Sequence, residues 1–297
     1  MRHIKTMAVV IAVTAFSWSA HGADLGNNPG TGFDACTSMF PGGAIPNAQS
    51  STVVDLCKIV GGQPIFAIRY DTTRKIPVWA AHRLTPEQMV KIKANSGTMK
   101  RPKFSPDPDL PSDVQAVDRS YTKSGFSRGH IVPANDMSGS KESYDATFHL
   151  SNVVPQRQPF NAGKWLGAED ALRTYVADKN TAIWDFSGTY GTVEDDPATP
   201  EREGPTIGSE PNAPTVPKCY YKVMAASQGD GQPVKVLALV YAWNDYRART
   251  TWGQALTSLE TLKQRSGIDF LSGVSMEAQY DAAYWGIDPP TQPADCE

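Results

Sequence analysis

The 297-residue chain reads as an α+β protein, with a mixed but mainly antiparallel sheet flanked by helices. Three observations predict this class. Strand-like and helix-like segments intermix without the regular βαβ spacing of a parallel sheet. Two strand candidates follow one another across a turn too short for a crossover. No repeat and no linker splits the chain into separate cores, so residues 24–297 are expected to form a single domain.

The chain opens with Arg2 and Lys5. An apolar run from Met7 to Trp18 follows, then small residues at Ala20, Gly22 and Ala23. This order is that of a secretory signal, and the run is too short to span a bilayer. Residues 1–23 are therefore set apart, and a secreted or periplasmic location is expected. No later segment has the length or apolarity of a membrane span. The whole chain carries 28 Lys+Arg against 31 Asp+Glu, a net −3. Without residues 1–23, which hold two basic and no acidic residues, the balance falls to −5. A globally basic binder is excluded, so any grip on phosphate has to be local.

Residues 24–62 are rich in Gly, Pro, Ser and Asn and read as a loop-rich region. Cys36, Cys57, Cys219 and Cys296 are an even set behind a signal, which argues for two disulfides. Of three pairings, Cys36–Cys57 with Cys219–Cys296 is favoured, one staple near each end. No pair has the C-x2-4-C spacing of a zinc site.

Pro64–Tyr70 alternates apolar and polar residues as a half-buried strand does. A turn over Asp71–Lys75 and a strand over Ile76–His82 complete a hairpin. Thr85-Pro86-Glu87-Gln88 places Thr at N-cap, Pro at N1 and Gln at N3, so a short helix to about Asn95 follows. Residues 101–125 are rich in Pro and Asp and predict a long surface loop, a type that is often functional. Gly129–Pro133 is a short strand candidate, Asn161 to about Ala177 a helix, and Thr181–Phe186 a strand. Residues 189–217 hold six prolines, and Glu194–Glu210 carries six acids against Arg202 alone. This stretch reads as an exposed, mobile insertion. Tyr220–Ala225 and Val234–Trp243 are apolar strands. Thr257-x-x-Glu260 is a second capping box, and Gly267 stops the helix it opens.

The informative residues lie between these elements. They are Ser127-Arg128-Gly129-His130, then Ser151-Asn152-Val153-Val154-Pro155-Gln156, then the helix from Asn161. Singly each is weak, since a lone histidine is more often structural than catalytic. On the helix, Asn161, Trp165, Glu169 and Arg173 recur every four residues, a drift of only about 40° per step, so the polar three share a stripe. Asn161 opens that helix, where backbone N–H groups favour phosphate. Its amide oxygen suits a hard cation such as Mg²⁺. Phe126, Phe148, Phe160 and Trp165 read as core rather than as base-stacking platforms.

Taken together, Arg128, Gly129, His130, Asn152, Pro155, Gln156, Asn161, Trp165, Glu169 and Arg173 resemble the signature of the DNA/RNA non-specific endonuclease family. That family includes bacterial extracellular nucleases and endonuclease G. The segment from Arg101 resembles its upstream arginine stretch, and the resemblance runs from about Pro64 to Leu271. It implies a ββα-metal fold and metal-dependent hydrolysis of phosphodiester bonds in DNA and RNA, with little sequence preference. The implied roles are His130 as general base and Asn161 as the protein ligand of one divalent ion, Mg²⁺ or in its place Mn²⁺. Glu169 would hold the hydrated ion, Arg101, Arg128 and Arg173 would hold phosphate, and Asn152 would orient the site. Ser127 departs from the family's aspartate, a carboxylate that would help fix the neighbouring arginine. That departure keeps open a homologue that binds nucleic acid without cleaving it. No recognition helix, RNA-binding signature or finger spacing is present, and no Gly-x-Ser-x-Gly elbow points to a serine hydrolase. From Lys100 to Arg173, ten basic residues face nine acidic ones, so a cationic surface has to arise by folding.

Overall fold

The computed structural model describes residues 32–48, 52–193, 206–229, 232–246, 249–276, 283–287 and Cys296. The expected signal, residues 1–23, lies outside the described residues. In chain order the strands are β1 (Asn47–Ala48), β2 (Val53–Val60), β3 (Gln63–Asp71), β4 (Ile76–Leu84), β5 (Ser127–His130), β6 (Val153–Gln156), β7 (Ile183–Tyr190), β8 (Cys219–Ala226), β9 (Lys235–Ala242), β10 (Leu256–Thr257) and β11 (Ile268–Asp269). The helices are α1 (Pro86–Ala94), α2 (Lys141–Ala146), α3 (Gln158–Phe160), α4 (Leu166–Lys179) and α5 (Leu259–Ser266).

Seven strands form one sheet in the order β10-β9-β8-β7-β4-β3-β2, and every ladder in it is antiparallel. Among the described residues, parallel pairing is confined to two isolated bridges, Ser105 with His149 and Val234 with Met276. The α+β expectation therefore holds. Both faces of the sheet are covered, which is why β8 and β9 read as continuous apolar runs rather than alternating ones. On one face Tyr220, Met224, Leu237, Leu239 and Tyr241 pack with Phe160, Trp165, Leu172 and Val176. On the other Tyr221, Val223, Ala225, Val236 and Ala238 pack with Phe33, Phe40, Leu259 and Leu262.

The β3–β4 hairpin and the Thr85 capping box form as expected, with Thr85 Oγ1 accepting from Gln88 N at 3.2 Å. The disulfides are Cys36–Cys57 and Cys219–Cys296, the favoured pairing.

Four expectations need correction. Residues 24–62 are not all loop: Val53–Val60 is an eight-residue strand. Its β-branched run was masked by the composition around it. Gly61 and Gly62, both at positive φ, make its tight turn into β3. Thr257 does not cap α5, because it is buried in β10 opposite Ala238. Ser258 caps the helix instead, accepting from Thr261 N at 2.8 Å. The described part of the 189–217 stretch is docked, not mobile. Ile207 and Val216 are in the core, Thr215 N donates to Arg74 O at 2.9 Å, and Glu210 pairs with Arg119 at 2.9 Å. Finally, the helix expected from Asn161 is interrupted. Gln158–Phe160 is helical, Asn161–Trp165 is a π turn with Gly163 at φ −97°, ψ −115°, and α4 proper begins at Leu166.

Candidate active site

β5 and β6 form a two-stranded ladder, Ser127 opposite Gln156 and His130 opposite Val153, and the chain runs from β6 directly into α3, the π turn and α4. This ββα unit sits on the face of the sheet that carries Trp165. A side chain at Gly129 would meet Gln156 Oε1 at 2.1 Å, so glycine alone lets the two strands close over the buried Gln156. Trp165 Nε1 donates to the His130 carbonyl at 3.1 Å and ties strand to helix.

The His130 ring lies 5.4 Å from Phe104 and 4.8 Å, edge-on, from Phe148. Its Nε2 is shielded from water and has no partner. Burial first, and then the charge of Arg101, pushes its pKa down to about 3, so the imidazole is neutral throughout the physiological range. Arg101 and Arg128 lie over the same Phe104 ring, at 5.5 and 5.7 Å. The Pro-rich loop bearing Arg101 and Phe104 is pinned. Leu150 N donates to Ser105 O at 2.9 Å, and the buried Asp107 takes both Lys58 and Ser151. The structure thus brings Arg101, Arg128 and His130 together around one aromatic ring.

The helix side is built differently. Asn161 is half-buried at the start of the π turn, and its carboxamide takes no partner among the described residues. The wider π turn resets the register between Asn161 and the Trp165–Glu169–Arg173 stripe, a feature that recurs at functional sites. Glu169 is buried. Desolvation raises its pKa to about 7, although Lys222 and Arg173 oppose the rise. Arg173 donates to Asp136 at 2.5 Å and also to Asp170, so its guanidinium is already committed to carboxylates. Asn152 is fully buried and turned inward: Oδ1 accepts from Val132 N at 2.8 Å, and Nδ2 donates to the carbonyls of Val132 and Thr147 at 3.0 Å. It fixes the chain just beyond His130 and does not face a substrate. Ser127 Oγ bonds Gln158, and Arg128 is held instead by Asp118, whose carboxylate takes its Nε and whose carbonyl takes Nη2 at 2.9 Å. A carboxylate still orients Arg128, supplied from ten residues upstream.

Sequence reasoning missed the charges beneath this face. His82 Nε2 and Asp136 are 3.0 Å apart, and Lys222 contacts Asp185 at 3.1 Å and Ser187 at 2.7 Å. Burial alone would raise the Asp136 pKa, but Arg173 and His82 outweigh it and hold the carboxyl below the usual range. Lys222 did leave a signal: a lysine inside an otherwise apolar strand has to be paired.

The opposite shifts of His130 and Glu169 carry opposite linkages. Below about pH 6.5 the unfolded chain protonates His130 while the folded one does not, so stability falls as pH drops toward 3. Folded Glu169 keeps its proton to about pH 7, whereas unfolded it loses it near 4.5, so its contribution is lost as pH rises through that window. Each slope reaches up to about 1.4 kcal/mol per pH unit. In EDTA-treated protein, His130→Ala is expected to tilt the stability profile downward with rising pH relative to wild type between pH 4.5 and 6.5, and Glu169→Gln to tilt it upward. Urea midpoints measure both, and parallel profiles for all three proteins would refute the assignments.

An imidazole without a hydrogen-bond partner for Nε2, two arginines beside it and a helix carrying an amide and a buried carboxyl lie together on one ββα unit. The comparisons supply the class. A family model described as DNA/RNA non-specific endonuclease matches residues 56–277. The chain is 32% identical to Nuclease EXOG, mitochondrial, of Xenopus laevis over 211 residues, 69% of this chain and 56% of that protein. The Mus musculus protein of the same name is 30% identical over 208 residues, 69% of this chain and 54% of that one. A protein named Nuclease from Nostoc sp. is 27% identical over 222 residues, 72% of this chain and 73% of that one. The chain spans about half the length of these EXOG relatives. A solved EndoG/EndoGI complex shares the fold at TM-score 0.59 and 21% identity, covering 74% of this chain and 86% of that one. The chain belongs to the DNA/RNA non-specific endonuclease family.

Proposed function

We propose that this protein is a metal-dependent endonuclease that hydrolyses phosphodiester bonds in DNA and RNA with little sequence preference. The observation that carries it is the neutral His130, its Nε2 unpartnered, set beside Arg101 and Arg128. In this scheme the two arginines hold non-bridging phosphate oxygens. His130 takes the proton of the attacking water. The bound phosphate offsets the charge of Arg101, the smaller cause of the low His130 pKa after burial, and so raises that pKa. Contacts to phosphate carry no base information, which accounts for the low sequence preference.

The residues fit a divalent ion of the Mg²⁺ type, with Mn²⁺ as its substitute. No group of three or more His, Cys, Asp or Glu that could hold a metal is found among the described residues, so a closed cage is not offered. An amide oxygen on Asn161 without a partner among the described residues, and the carboxyl of Glu169 eight residues on, suit a hard cation that keeps most of its waters. Asn161 would hold the ion directly and Glu169 would hold its water shell. When bound, the ion supplies neutralising charge to the phosphate and the leaving oxygen. Arg173, tied to Asp136 and Asp170, acts by positioning Glu169 rather than by meeting phosphate. Asn152 acts by fixing the backbone after His130.

Two disulfides suit an oxidising compartment, and with the signal-like residues 1–23 they support a secreted or periplasmic protein. Among the described residues no helix is long and apolar enough to cross a membrane.

The test is incubation of the purified protein with supercoiled plasmid and with total RNA, in Mg²⁺ and in EDTA. Metal-dependent loss of both substrates supports the proposal. Intact nucleic acid in every lane, from folded and disulfide-bonded protein, refutes it and leaves a binding protein. Ser127→Asp addresses that second case. Because Asp118 already holds Arg128, the change is expected to alter kcat/KM by less than about threefold, under 1 kcal/mol. A gain of a hundredfold would mean that Ser127 marks a weakened enzyme.

A further inference from the structure

Between Glu87 and Asp107 the chain carries Lys91, Lys93, Lys100, Arg101 and Lys103 and no acidic residue, in a protein of net charge −3. All five side chains belong to exposed residues, and among the described residues none of them forms an ion pair. The fold sets this run beside the candidate active site. Ile92 buries α1 in the core on the same face of the sheet as Trp165. Asn95 Nδ2 anchors the end of the helix to the carbonyls of Ser138 and Gly139, at 3.2 and 3.0 Å. A cavity of about 750 Å³ opens between α1 and α4, with Lys93, Met99, Tyr144 and Arg173 among its walls. From Met99 the chain continues through Lys100 to Arg101, whose guanidinium lies over Phe104 and Phe148, the two rings that flank His130.

A run of exposed, unpaired cations with no acid among them, in a protein of net negative charge, is an electrostatic footprint for a polyanion. Structural lysines on a helix normally find a carboxylate three or four residues away. Here Glu87, four residues before Lys91, forms no such pair. The absence of acids over this stretch removes the repulsion that a phosphate chain would otherwise meet.

We propose that α1 and the segment 96–103 form a track for the phosphodiester backbone, leading substrate from the Lys93 cavity past Lys100 and Lys103 to Arg101 and His130. The track rests on the proposed nuclease function and adds to it the strand path on one side of the scissile phosphate. It also accounts for how a chain of acidic balance grips a polyanion: one short segment carries five cations and no acid.

The experiment measures binding of a 30-bp duplex in EDTA by fluorescence anisotropy across a salt series. It uses wild type, the variant Lys93→Gln/Lys100→Gln/Lys103→Gln, and Lys263→Gln as a control on α5, which packs against the other face of the sheet. Each phosphate contact contributes about 0.9 to the slope of log K against log salt, so the triple variant is expected to lose about 2.7 from that slope. At 0.1 M salt each lost contact weakens binding roughly eightfold on the same basis. Lys263→Gln should follow wild type. Circular dichroism confirms folding of these exposed variants. An unchanged slope in the triple variant, with wild type binding steeply, overturns the track and leaves the nuclease assignment standing. Wild type that neither binds nor cleaves nucleic acid overturns both. Loss of binding to anionic lipid vesicles without loss of duplex binding would assign the patch to a membrane and overturn the track.

Discussion

Replacement of His130 by alanine is expected to cut turnover on plasmid DNA by about 10²- to 10⁴-fold, the range a general base supplies. The ring contacts Phe104 and Phe148 through its faces and edge and leaves Nε2 without an internal partner. A buried polar atom left unpaired costs stability unless a ligand completes it. His130→Ala therefore removes chemistry while sparing the fold, because the backbone at position 130 is held by the β5–β6 ladder and by Trp165 Nε1. Asn161→Ala is expected to lower turnover by a comparable amount through a different route, so the pair discriminates. Raising the Mg²⁺ concentration should recover part of the Asn161→Ala activity and none of the His130→Ala activity. Steady-state cleavage across a metal titration measures both. Wild-type activity in either folded variant would remove that residue from the mechanism.

The second large effect is one of stability. Asp136→Asn keeps the shape of a side chain that is 1% exposed but deletes the charge facing Arg173 and His82. Removing one partner of a buried pair costs about 3–5 kcal/mol. Arg173 retains Asp170, a partly exposed carboxylate, so the low end near 3 kcal/mol is expected. For a chain of this size that is a fall in Tm of roughly 6–10 °C. Activity should fall as well, because Asp136 fixes the guanidinium whose charge acts on the buried Glu169. The order matters: Asp170→Asn, made on the exposed side of the same guanidinium, should cost less than about 1 kcal/mol. Thermal unfolding of the two variants side by side checks this, and equal losses would mean that the buried Asp136 is not the anchor.

Much of this arrangement was legible in the amino-acid sequence, for reasons that are local. The β3–β4 hairpin follows from alternation across a short turn, and α1 from Thr85, Pro86 and Gln88, because each signal acts within a few residues. The resemblance over Arg128 to Arg173 pointed to the candidate site residues, since the ββα unit is nearly continuous in sequence. The strand over Val53–Val60 was obscured by the composition of its surroundings. The interruption at Asn161–Trp165 is not legible, because a π turn leaves no mark in a four-residue repeat.

The partners of those residues were not legible, and the reason is physical. Asp136, His82, Asp185 and Lys222 are scattered over 141 positions and meet only when β4, β7 and β8 pair and α4 packs onto them, and Asp118 reaches Arg128 from a separate segment. Their charges matter because burial makes each one depend on a neighbour brought from elsewhere in the chain. The sequence by itself determined the family and the cysteines available for two disulfides, and it proposed His130, Asn161 and Glu169 as site residues. Tertiary structure alone decided that Arg173 is bound to carboxylates, that Asn152 faces inward, and that Asp118 orients Arg128 where Ser127 does not. Residue type is written in the chain, but desolvation and pairing are properties of the space around it, and that space exists only once the sheet has closed.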